Sequence, residues 1–306
     1  MKKTALVFPG QGSQTAGMGY QLYEASAAAK EVFKAANSAL GFDLTALIFE
    51  GSNEDLTRSY NAQPAILTVS MAYLKALEEH HGEITTRVAL LAGHSLGEYS
   101  ALVAAQSLTL DQALRIVRRR GELMQIASNT NPGVMFALIG VDFDDAKLIC
   151  EKTSSYIANV NSPSQIVIGG TEVAVGNAIS IAKEYGLRRA IQLEVSGAFH
   201  TNLMLPAQTE LSKELDALNI NPAKIPVVSN SAAMIIEHPD QIRDELKIQI
   251  CSAVLWSQSV KLMVSSGIER FIELGPGAAL TGLSKRIAPS IDAINIQDLD
   301  SVKELA

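Results

Sequence analysis

A serine flanked by glycines is the residue of this chain best suited to chemistry. Residues 93–97 read Gly-His-Ser-Leu-Gly, with Ser95 at the centre. An apolar run at residues 87–92 precedes the motif, and helix-like sequence follows from Glu98. A serine at a strand-to-helix turn of this kind forms a nucleophile elbow, which presents its hydroxyl. The helix that begins there directs free N–H groups toward an anion forming beside that hydroxyl. The spacing therefore predicts a serine nucleophile.

A serine nucleophile needs a base, and His200 is the histidine whose position favours that role. Of the five histidines, His80 and His81 end a predicted helix, His238 lies in a polar stretch beside a proline, and His94 adjoins the serine. His200 stands where the chain leaves an inserted segment, and clefts form at such junctions. A structural role is the alternative for a lone histidine. Because no histidine follows His238, the sequence predicts a Ser–His dyad rather than a full hydrolase triad.

Two backbone amides are candidates for an oxyanion hole. One belongs to Leu96, the residue directly after the serine. The other belongs to Gln11, in the loop at residues 10–14 that follows the first predicted strand. Loops after parallel strands meet at one edge of a sheet, and glycines allow close backbone approach, so both amides can converge. The alternative, a phosphate-binding loop, fits neither glycine-rich nucleotide signature.

Arg120 occupies a core-facing position of the helix predicted from Leu110 to Ala127. Apolar residues at three-and-four spacing mark the buried stripe of that helix: Ala113, Ile116, Val117, Met124 and Ala127. A guanidinium directed inward is costly unless an anion pairs with it, and its fork matches a carboxylate. Two partners stay open at this point, an internal Asp or Glu and the carboxylate of a substrate. We favour the substrate.

The elements that position these residues predict an α/β fold. Strands alternate with helices over most of the chain, which is typical of a parallel sheet covered on both faces. One helix is predicted from about Pro64, a residue suited to the first helical position. Between residues 128 and 198 the order becomes β-α-β-β-α-β, the ferredoxin-like split unit. We expect a hydrolase-like large domain at 1–127 and 199–306, with a ferredoxin-like small subdomain at 128–198.

Composition narrows the class of protein. The 306 residues are 47% hydrophobic and 19% charged, which suits an ordered protein with a sizeable core. The net charge of −7 argues against a nucleic-acid binder. Cys150 and Cys251 lie far apart without metal-ligand spacing, so no disulfide framework or metal site is expected. No apolar run approaches the ~20 residues that span a bilayer, and we expect a soluble, cytoplasmic protein with no membrane partner.

Five motifs occur in order along the chain. They are Gly-Gln-Gly-Ser-Gln at 10–14, Gly-His-Ser-Leu-Gly-Glu-Tyr-Ser at 93–100, Arg-Gly at 120–121, Gly-Ala-Phe-His at 197–200 and Gly-Pro-Gly at 275–277. With these motifs the chain resembles the malonyl-CoA:acyl carrier protein transacylases over essentially its whole length. The resemblance implies a hydrolase-like large domain and a ferredoxin-like small one, in agreement with the expected fold.

The resemblance also implies residue roles. Ser95 takes the malonyl group as an ester, and His200 is the base. Arg120 binds the free malonyl carboxylate, while the amides of Gln11 and Leu96 hold the oxyanion. The expected reaction is a ping-pong transfer from malonyl-CoA to the phosphopantetheine thiol of acyl carrier protein, which supplies fatty-acid or polyketide chain elongation. No metal or prosthetic group is implied. Two alternatives stay open, an acyl-thioester hydrolase and a noncatalytic protein that docks carriers.

Further residues at positions matched by the resemblance bear on the geometry of the site and on the choice of substrate. Family members orient the histidine through the backbone carbonyl of a glutamine, which Gln249 matches. The chain has Ser-Ala at 252–253 where the family usually has Asn-Pro, and Ala198 where proline or valine is commoner. Phe199 would fill the space that an α-methyl group needs, so malonyl is the expected substrate. Phe136 stands where the family favours a small residue and is a candidate for reshaping the pocket.

Overall fold

Two separate β-sheets organise the computed structural model, which describes residues 2–304. The strands are β1 (Thr4–Phe8), β2 (Val88–Gly93), β3 (Val134–Ile139), β4 (Tyr156–Ser162), β5 (Gln165–Gly170), β6 (Arg189–Gln192), β7 (Val227–Val228), β8 (Ile235–Ile236), β9 (Arg270–Leu274) and β10 (Asp292–Ile296). The larger sheet has the order β10-β9-β1-β2-β7-β8, and the smaller has the order β4-β5-β3-β6. This mixed architecture confirms the predicted fold class.

The helices cover the sheets and carry several of the site residues. They are α1 (Tyr20–Ala25), α2 (Ala27–Leu40), α3 (Leu44–Glu50), α4 (Asn53–Thr57), α5 (Ser59–His81), α6 (Gly97–Ala104), α7 (Leu110–Thr130), α8 (Phe143–Thr153), α9 (Glu172–Ala182), α10 (Leu205–Ala217), α11 (Pro239–Gln249), α12 (Trp256–Ser265), α13 (Ala279–Ile287) and α14 (Leu299–Glu304). Short 3₁₀ turns lie at Ile84–Arg87, Lys183–Tyr185 and Asn202–Met204.

The larger sheet is parallel from β10 to β7, and its central strands are buried on both faces. Along β1, Leu6 packs in one hydrophobic cluster and Val7 in another, on opposite sides of the sheet. A strand covered on both faces needs a continuous apolar run, which β1 supplies. The register pairs Phe8 with Gly93, so β1 and β2 end at the same edge. That register brings the loop at residues 10–14 beside the elbow.

The smaller sheet is antiparallel and follows the split order expected from the sequence. Strand β3 pairs with both β5 and β6, and β4 pairs with β5. The apolar residues of α8 and α9 pack on one face of this sheet, in a cluster that includes Leu138, Ile149 and Val175. The boundaries of the small subdomain at residues 128 and 198 stay a prediction.

Helix α5 corrects one prediction, because it begins at Ser59 and contains Pro64 in its interior. Proline has no N–H to donate to the carbonyl four residues earlier, which belongs to Tyr60. The guanidinium of Arg118 donates to that carbonyl across 3.0 Å instead. Further bonds to Asn61 Oδ1 at 2.7 Å and Glu122 Oε1 at 2.9 Å hold it in place. A residue from a neighbouring helix thus satisfies the group that the proline leaves free.

Within residues 2–304 no single helix is both long and apolar enough to cross a membrane. Helices α2 and α3 reach the required length and composition only together, and the pair is bent by 119° at its break.

Candidate active site

The turn that carries Ser95 is possible only because glycines flank it. Strand β2 ends at Gly93 and α6 begins at Gly97. A Cβ on Gly93 would lie 1.8 Å from the carbonyl carbon of Gly97, and a Cβ on Gly97 would lie 2.0 Å from the Phe8 oxygen. Ser95 itself has φ 51°, a left-handed conformation that is uncommon for a residue other than glycine. The predicted elbow is therefore present, with its serine in a sparsely populated backbone conformation.

His200 lies within hydrogen-bond distance of the serine hydroxyl. Its Nε2 is 2.7 Å from Ser95 Oγ. Its Nδ1 lies 2.9 Å from the carbonyl oxygen of Gln249 and 3.1 Å from that of Ser252. Because carbonyl oxygens only accept, these contacts assign the proton to Nδ1 and leave Nε2 free to take the serine proton. Two carbonyls thus occupy the place that an acid holds in a triad.

The environment keeps the imidazole of His200 neutral. Burial lowers the pKa of His200, and the positive charge of Arg120 lowers it further, to about 3. Burial disfavours the charged form of any histidine, and a nearby cation acts in the same direction. A neutral imidazole is the form that can act as a general base. The electrostatics therefore keep His200 in the form that can accept a proton, while the lowered pKa weakens its affinity for that proton.

Arg120 is buried, with an exposed fraction of 1%, and its head lies beside the nucleophile. Its Nη1 donates to Gln63 Oε1 at 2.8 Å, and its Nη2 donates to Gln249 Oε1 at 2.9 Å and to Ser95 Oγ at 3.2 Å. Its Nε has no hydrogen-bond partner among the described residues. No Asp or Glu of residues 2–304 forms a salt bridge with it. Of the two partners left open above, no internal carboxylate contacts the guanidinium within residues 2–304, and buried Glu98 acts on it only through its charge and through the bridging Gln249.

Gln249 contributes a side chain as well as a carbonyl. Its Nε2 donates to the Ser95 carbonyl at 2.9 Å and to Glu98 Oε2 at 2.5 Å, while its Oε1 accepts from Arg120. The resemblance pointed only to its backbone carbonyl. One residue at the end of α11 therefore touches the base, the cation and the elbow.

The two amides expected to form the oxyanion hole are free to donate. Among residues 2–304, neither the Gln11 nor the Leu96 N–H donates a hydrogen bond to the protein. The next two amides of the elbow are already engaged, since Gly97 donates to His94 and Glu98 donates to Ser95. Free amides beside the nucleophile fit an oxyanion hole. That role stays a prediction for both residues.

A small cavity of about 80 Å³ lies at the nucleophile, between the elbow and strands β3 and β4 of the smaller sheet. Ser95, His200, Gln11, His94 and Asn159 form its polar side. Apolar side chains complete it: Met124, Met135, Leu193, Val195 and Phe199. A second cavity of about 440 Å³ shares four of these residues, Gln11, His94, Asn159 and Leu193. The wide cavity therefore adjoins the pocket that surrounds the serine.

The prediction that Phe136 reshapes the pocket is wrong. Phe136 packs against the hydrophobic cluster beneath α8 and α9, on the far face of the smaller sheet. Met135, its neighbour in β3, lines the pocket at the nucleophile. Successive side chains of a strand point to opposite faces, so a one-residue difference decides which of them reaches the cleft. The period-two pattern of β3 places Met135 and Phe136 on opposite faces, but it does not say which face meets the cleft.

Several residues of the site escaped the sequence analysis. Gln63 is a fully buried polar residue of α5 that contacts Arg120. His94 Nε2 lies 2.9 Å from Asn161 Oδ1, a contact that joins the elbow to the smaller sheet. Two buried carboxylates, Glu98 and Glu245, lie behind the elbow. A polar residue inside an apolar stripe is the signal that marked Arg120, and it applies equally to Gln63.

The carboxyl groups behind the elbow have perturbed acidities. Burial raises the pKa of Glu98 well above its ordinary value, and the nearby charge of Glu245 raises it further. Burial also raises the pKa of Glu245, although hydrogen bonds from Ser231 oppose that shift. Two carboxylates in one apolar region disfavour each other's ionisation. Among residues 2–304, no group of three or more His, Cys, Asp or Glu side chains is arranged to hold a metal ion.

Comparison with known proteins identifies first the domain family of the chain and then the group of proteins within it that the chain resembles in sequence and structure. The model of the acyl transferase domain family matches residues 5–299. A malonyl CoA-acyl carrier protein transacylase of Bacillus subtilis (strain 168) is 44% identical over 99% of this chain and 96% of its own length. The solved acyl-carrier-protein-S-malonyltransferase of Bartonella henselae is 38% identical, with a TM-score of 0.95 and coverage of 98% of this chain and 97% of the other.

A third similar protein was solved with a partner. It is the malonyl-transacylase of a complex with a type II polyketide synthase acyl-carrier protein, 38% identical with a TM-score of 0.94, over 98% of this chain and 97% of the other. The fold and site thus define an acyl transferase. Within that class, the chain belongs to the family of malonyl CoA-acyl carrier protein transacylases.

Proposed function

We propose that this protein transfers the malonyl group of malonyl-CoA to the phosphopantetheine thiol of an acyl carrier protein, through an ester on Ser95. One observation carries the proposal. The Ser95 hydroxyl lies 2.7 Å from the His200 imidazole and 3.2 Å from the Arg120 guanidinium. The nucleophile and its base line one pocket, and a buried cation in contact with no Asp or Glu side chain of residues 2–304 lies directly behind the serine hydroxyl. That combination suits an acyl group that carries its own carboxylate.

The first half-reaction loads the enzyme. His200 Nε2 takes the proton of Ser95 as Oγ forms a bond to the thioester carbon. The carbonyl oxygen becomes an oxyanion, and the amides of Gln11 and Leu96 are placed to hold it. When the intermediate collapses, the carbon–sulfur bond breaks, and the coenzyme A thiolate receives the proton from His200. Malonyl-Ser95 and free coenzyme A remain.

The second half-reaction runs through the same groups in the opposite direction. The carrier thiol gives its proton to His200 as its sulfur attacks the ester carbon. The oxyanion forms again beside Gln11 and Leu96, and the bond between carbon and Ser95 Oγ breaks. His200 returns the proton to the serine oxygen, so the enzyme is regenerated. The wide cavity of about 440 Å³ beside the nucleophile provides room for the pantetheine arm.

Arg120 gives the reaction its selectivity. A malonyl carboxylate can pair with the guanidinium, whose Nε has no partner among the described residues. An acetyl group would leave that buried charge without an anionic partner, which costs more than a lost apolar contact. Phe199, in the wall of the small cavity, restricts the space for an α-methyl group. The pocket therefore favours malonyl over acetyl and methylmalonyl groups.

The proposal also covers the acceptor, the cofactor requirement and the cellular location of the protein. The carrier protein in the solved relative's complex supports an acyl carrier protein as acceptor. Malonyl-CoA serves as substrate, and the proposed steps use no resident cofactor. We place the protein in the cytoplasm, where both substrates occur, and assign residues 128–198 to a small subdomain that forms one wall of the cleft.

Mass spectrometry after incubation with malonyl-CoA tests the proposal. The peptide that contains Ser95 should gain one malonyl group, and the gain should disappear when holo acyl carrier protein is added, with malonyl appearing on the carrier. The Ser95→Ala variant is the control and should gain nothing. Absence of any adduct would favour the noncatalytic docking protein instead. Loss of the adduct to water, with none on the carrier, would favour the hydrolase.

A further inference from the structure

Asn230 holds the nucleophile elbow by both ends of its side chain. It follows β7 and is buried, with an exposed fraction of 1%. Its Oδ1 accepts a hydrogen bond from the Ser95 N–H at 2.6 Å, and its Nδ2 donates to the Gly93 carbonyl at 2.7 Å. None of the roles described above uses this residue.

The two bonds fix the orientation of the carboxamide. If the amide were turned over, its NH₂ would face the Ser95 N–H and its oxygen would face the Gly93 carbonyl, so both bonds would be lost. The backbone of Asn230 is also held, because its N–H points to Glu98 Oε1 at 3.3 Å and Glu245 Oε1 at 3.1 Å. Main chain and side chain are therefore anchored together beneath the nucleophile.

Asn230 acts where strand pairing stops. Strand β7 pairs with β2 only at Leu91 and Ala92, two residues before the elbow turns away. The carboxamide supplies two further bonds beyond that point, on either side of His94. They brace Ser95 in its left-handed conformation, φ 51°, which a serine does not favour by itself. They also occupy the Ser95 N–H, which leaves the Leu96 amide as the free donor of the turn.

We propose that Asn230 is a positioning residue for the transfer reaction, acting through the Ser95 backbone to aim the hydroxyl at His200 and the Leu96 amide at the oxyanion. This inference rests on the proposed function. Substrate binding through Arg120 does not depend on Asn230, since no hydrogen bond joins the two side chains. Loss of the carboxamide should therefore lower kcat and leave KM for malonyl-CoA almost unchanged.

A merely structural role would have different consequences. Ser229, the preceding residue, is equally buried and accepts a hydrogen bond from the Met234 N–H at 3.1 Å without touching the elbow. Ser229→Ala is therefore a matched control for the loss of a buried hydrogen bond in the same segment. If Asn230 only stabilised the fold, Asn230→Ala and Ser229→Ala would both lower the melting temperature, and neither would lower kcat of the folded protein.

The first test compares Asn230→Ala, Ser229→Ala and the wild type in malonyl transfer to holo carrier protein. We expect kcat of Asn230→Ala to fall about a hundredfold, as small displacements of a catalytic group do, with KM within threefold. Ser229→Ala should keep kcat. A folded Asn230→Ala protein with wild-type kcat would overturn the inference while leaving the proposed function intact. A wild-type protein that transfers no malonyl would overturn both.

A second variant decides the matter even if Asn230→Ala fails to fold. In Asn230→Asp a protonated carboxyl can still accept from Ser95 and donate to Gly93, whereas a carboxylate would face the Gly93 carbonyl without a proton. The neighbouring Glu98 and Glu245 carboxyl groups favour the protonated form, and the charge of Arg120 beyond Ser95 opposes it. The activity of Asn230→Asp relative to wild type should rise as the pH falls and the introduced carboxyl takes up a proton. A ratio well below one that does not rise as the pH falls would contradict the inference, because the protonated carboxyl restores both hydrogen bonds.

Discussion

Nη2 of Arg120 donates a hydrogen bond to the hydroxyl of Ser95 across 3.2 Å, so the cation contacts the nucleophile directly. The same nitrogen also donates to Gln249 Oε1. In the proposed reaction, formation of an ester on Ser95 would turn the hydroxyl oxygen into a poor acceptor, and the malonyl carboxylate would then become the stronger partner for the guanidinium. The contact would thus couple acylation of the serine to recognition of the acyl group.

The first prediction concerns selectivity. In Arg120→Ala, kcat/KM for malonyl-CoA should fall about a hundredfold or more, because a charged hydrogen-bonded partner of the substrate carboxylate is lost. Transfer from acetyl-CoA should change by less than threefold or increase. Arg119→Ala is the matched control, since Arg119 lies on the same helix and pairs with Glu214 at the outer surface. Equal losses for both acyl groups would show that Arg120 does not select the substrate.

The second prediction concerns pH. Because the pKa of His200 is lowered to about 3, the base should stay neutral and kcat/KM for malonyl-CoA should be nearly constant from pH 8 down to about pH 5. In Arg120→Ala the removal of the positive charge should raise the pKa of His200 and move the acid limb to higher pH. Rate profiles of both proteins measure this. A wild-type profile that falls near pH 6.5, the ordinary histidine pKa, would contradict it.

The third prediction separates two neighbours on β3. Met135→Ala should enlarge the cavity at the nucleophile and raise the rate with methylmalonyl-CoA relative to malonyl-CoA, with little effect on the small-sheet core. Phe136→Ala should leave that ratio unchanged and should destabilise the protein by about 2 kcal/mol, because its ring packs against the cluster under α8 and α9. Competition assays and thermal unfolding measure the two effects. The reverse pattern would place Phe136 in the pocket after all.

The fourth prediction concerns stability and the buried acid Glu98. Its pKa is raised in the folded state, so its contribution to folding is fully present below the unfolded pKa of about 4.3 and is lost as the pH rises toward the folded pKa. Glu98→Gln removes this titration and also the repulsion from Glu245. The stability of the variant relative to wild type should therefore increase from pH 4 to pH 8. Urea unfolding across that range measures the difference, and a constant or decreasing difference would contradict the prediction.

Local patterns in the sequence were enough to predict the elbow and the cation. The glycines that flank Ser95 indicate a tight turn, and that signal lies within five residues. The spacing of Arg120 from its apolar neighbours indicates a buried helix face, and that signal spans a few helical turns. Both signals are short-range, so they survive without knowledge of the fold. The position of His200 at the end of the inserted segment favoured it as the base, and the resemblance added Gln249, which no local pattern could join to the serine.

The sequence by itself therefore predicted a serine at a strand-to-helix elbow and a buried arginine, and it determined the α/β architecture that carries them. Only the tertiary structure decided that Met135 rather than Phe136 faces the cleft, and that α5 continues through Pro64 because Arg118 satisfies the Tyr60 carbonyl. The same holds for Asn230, whose side chain bonds to the elbow from the turn that follows β7, far along the chain. These outcomes depend on side chains from separate elements, which come into contact only when the sheets and helices pack. The periodicity of one element does not show which other element it contacts.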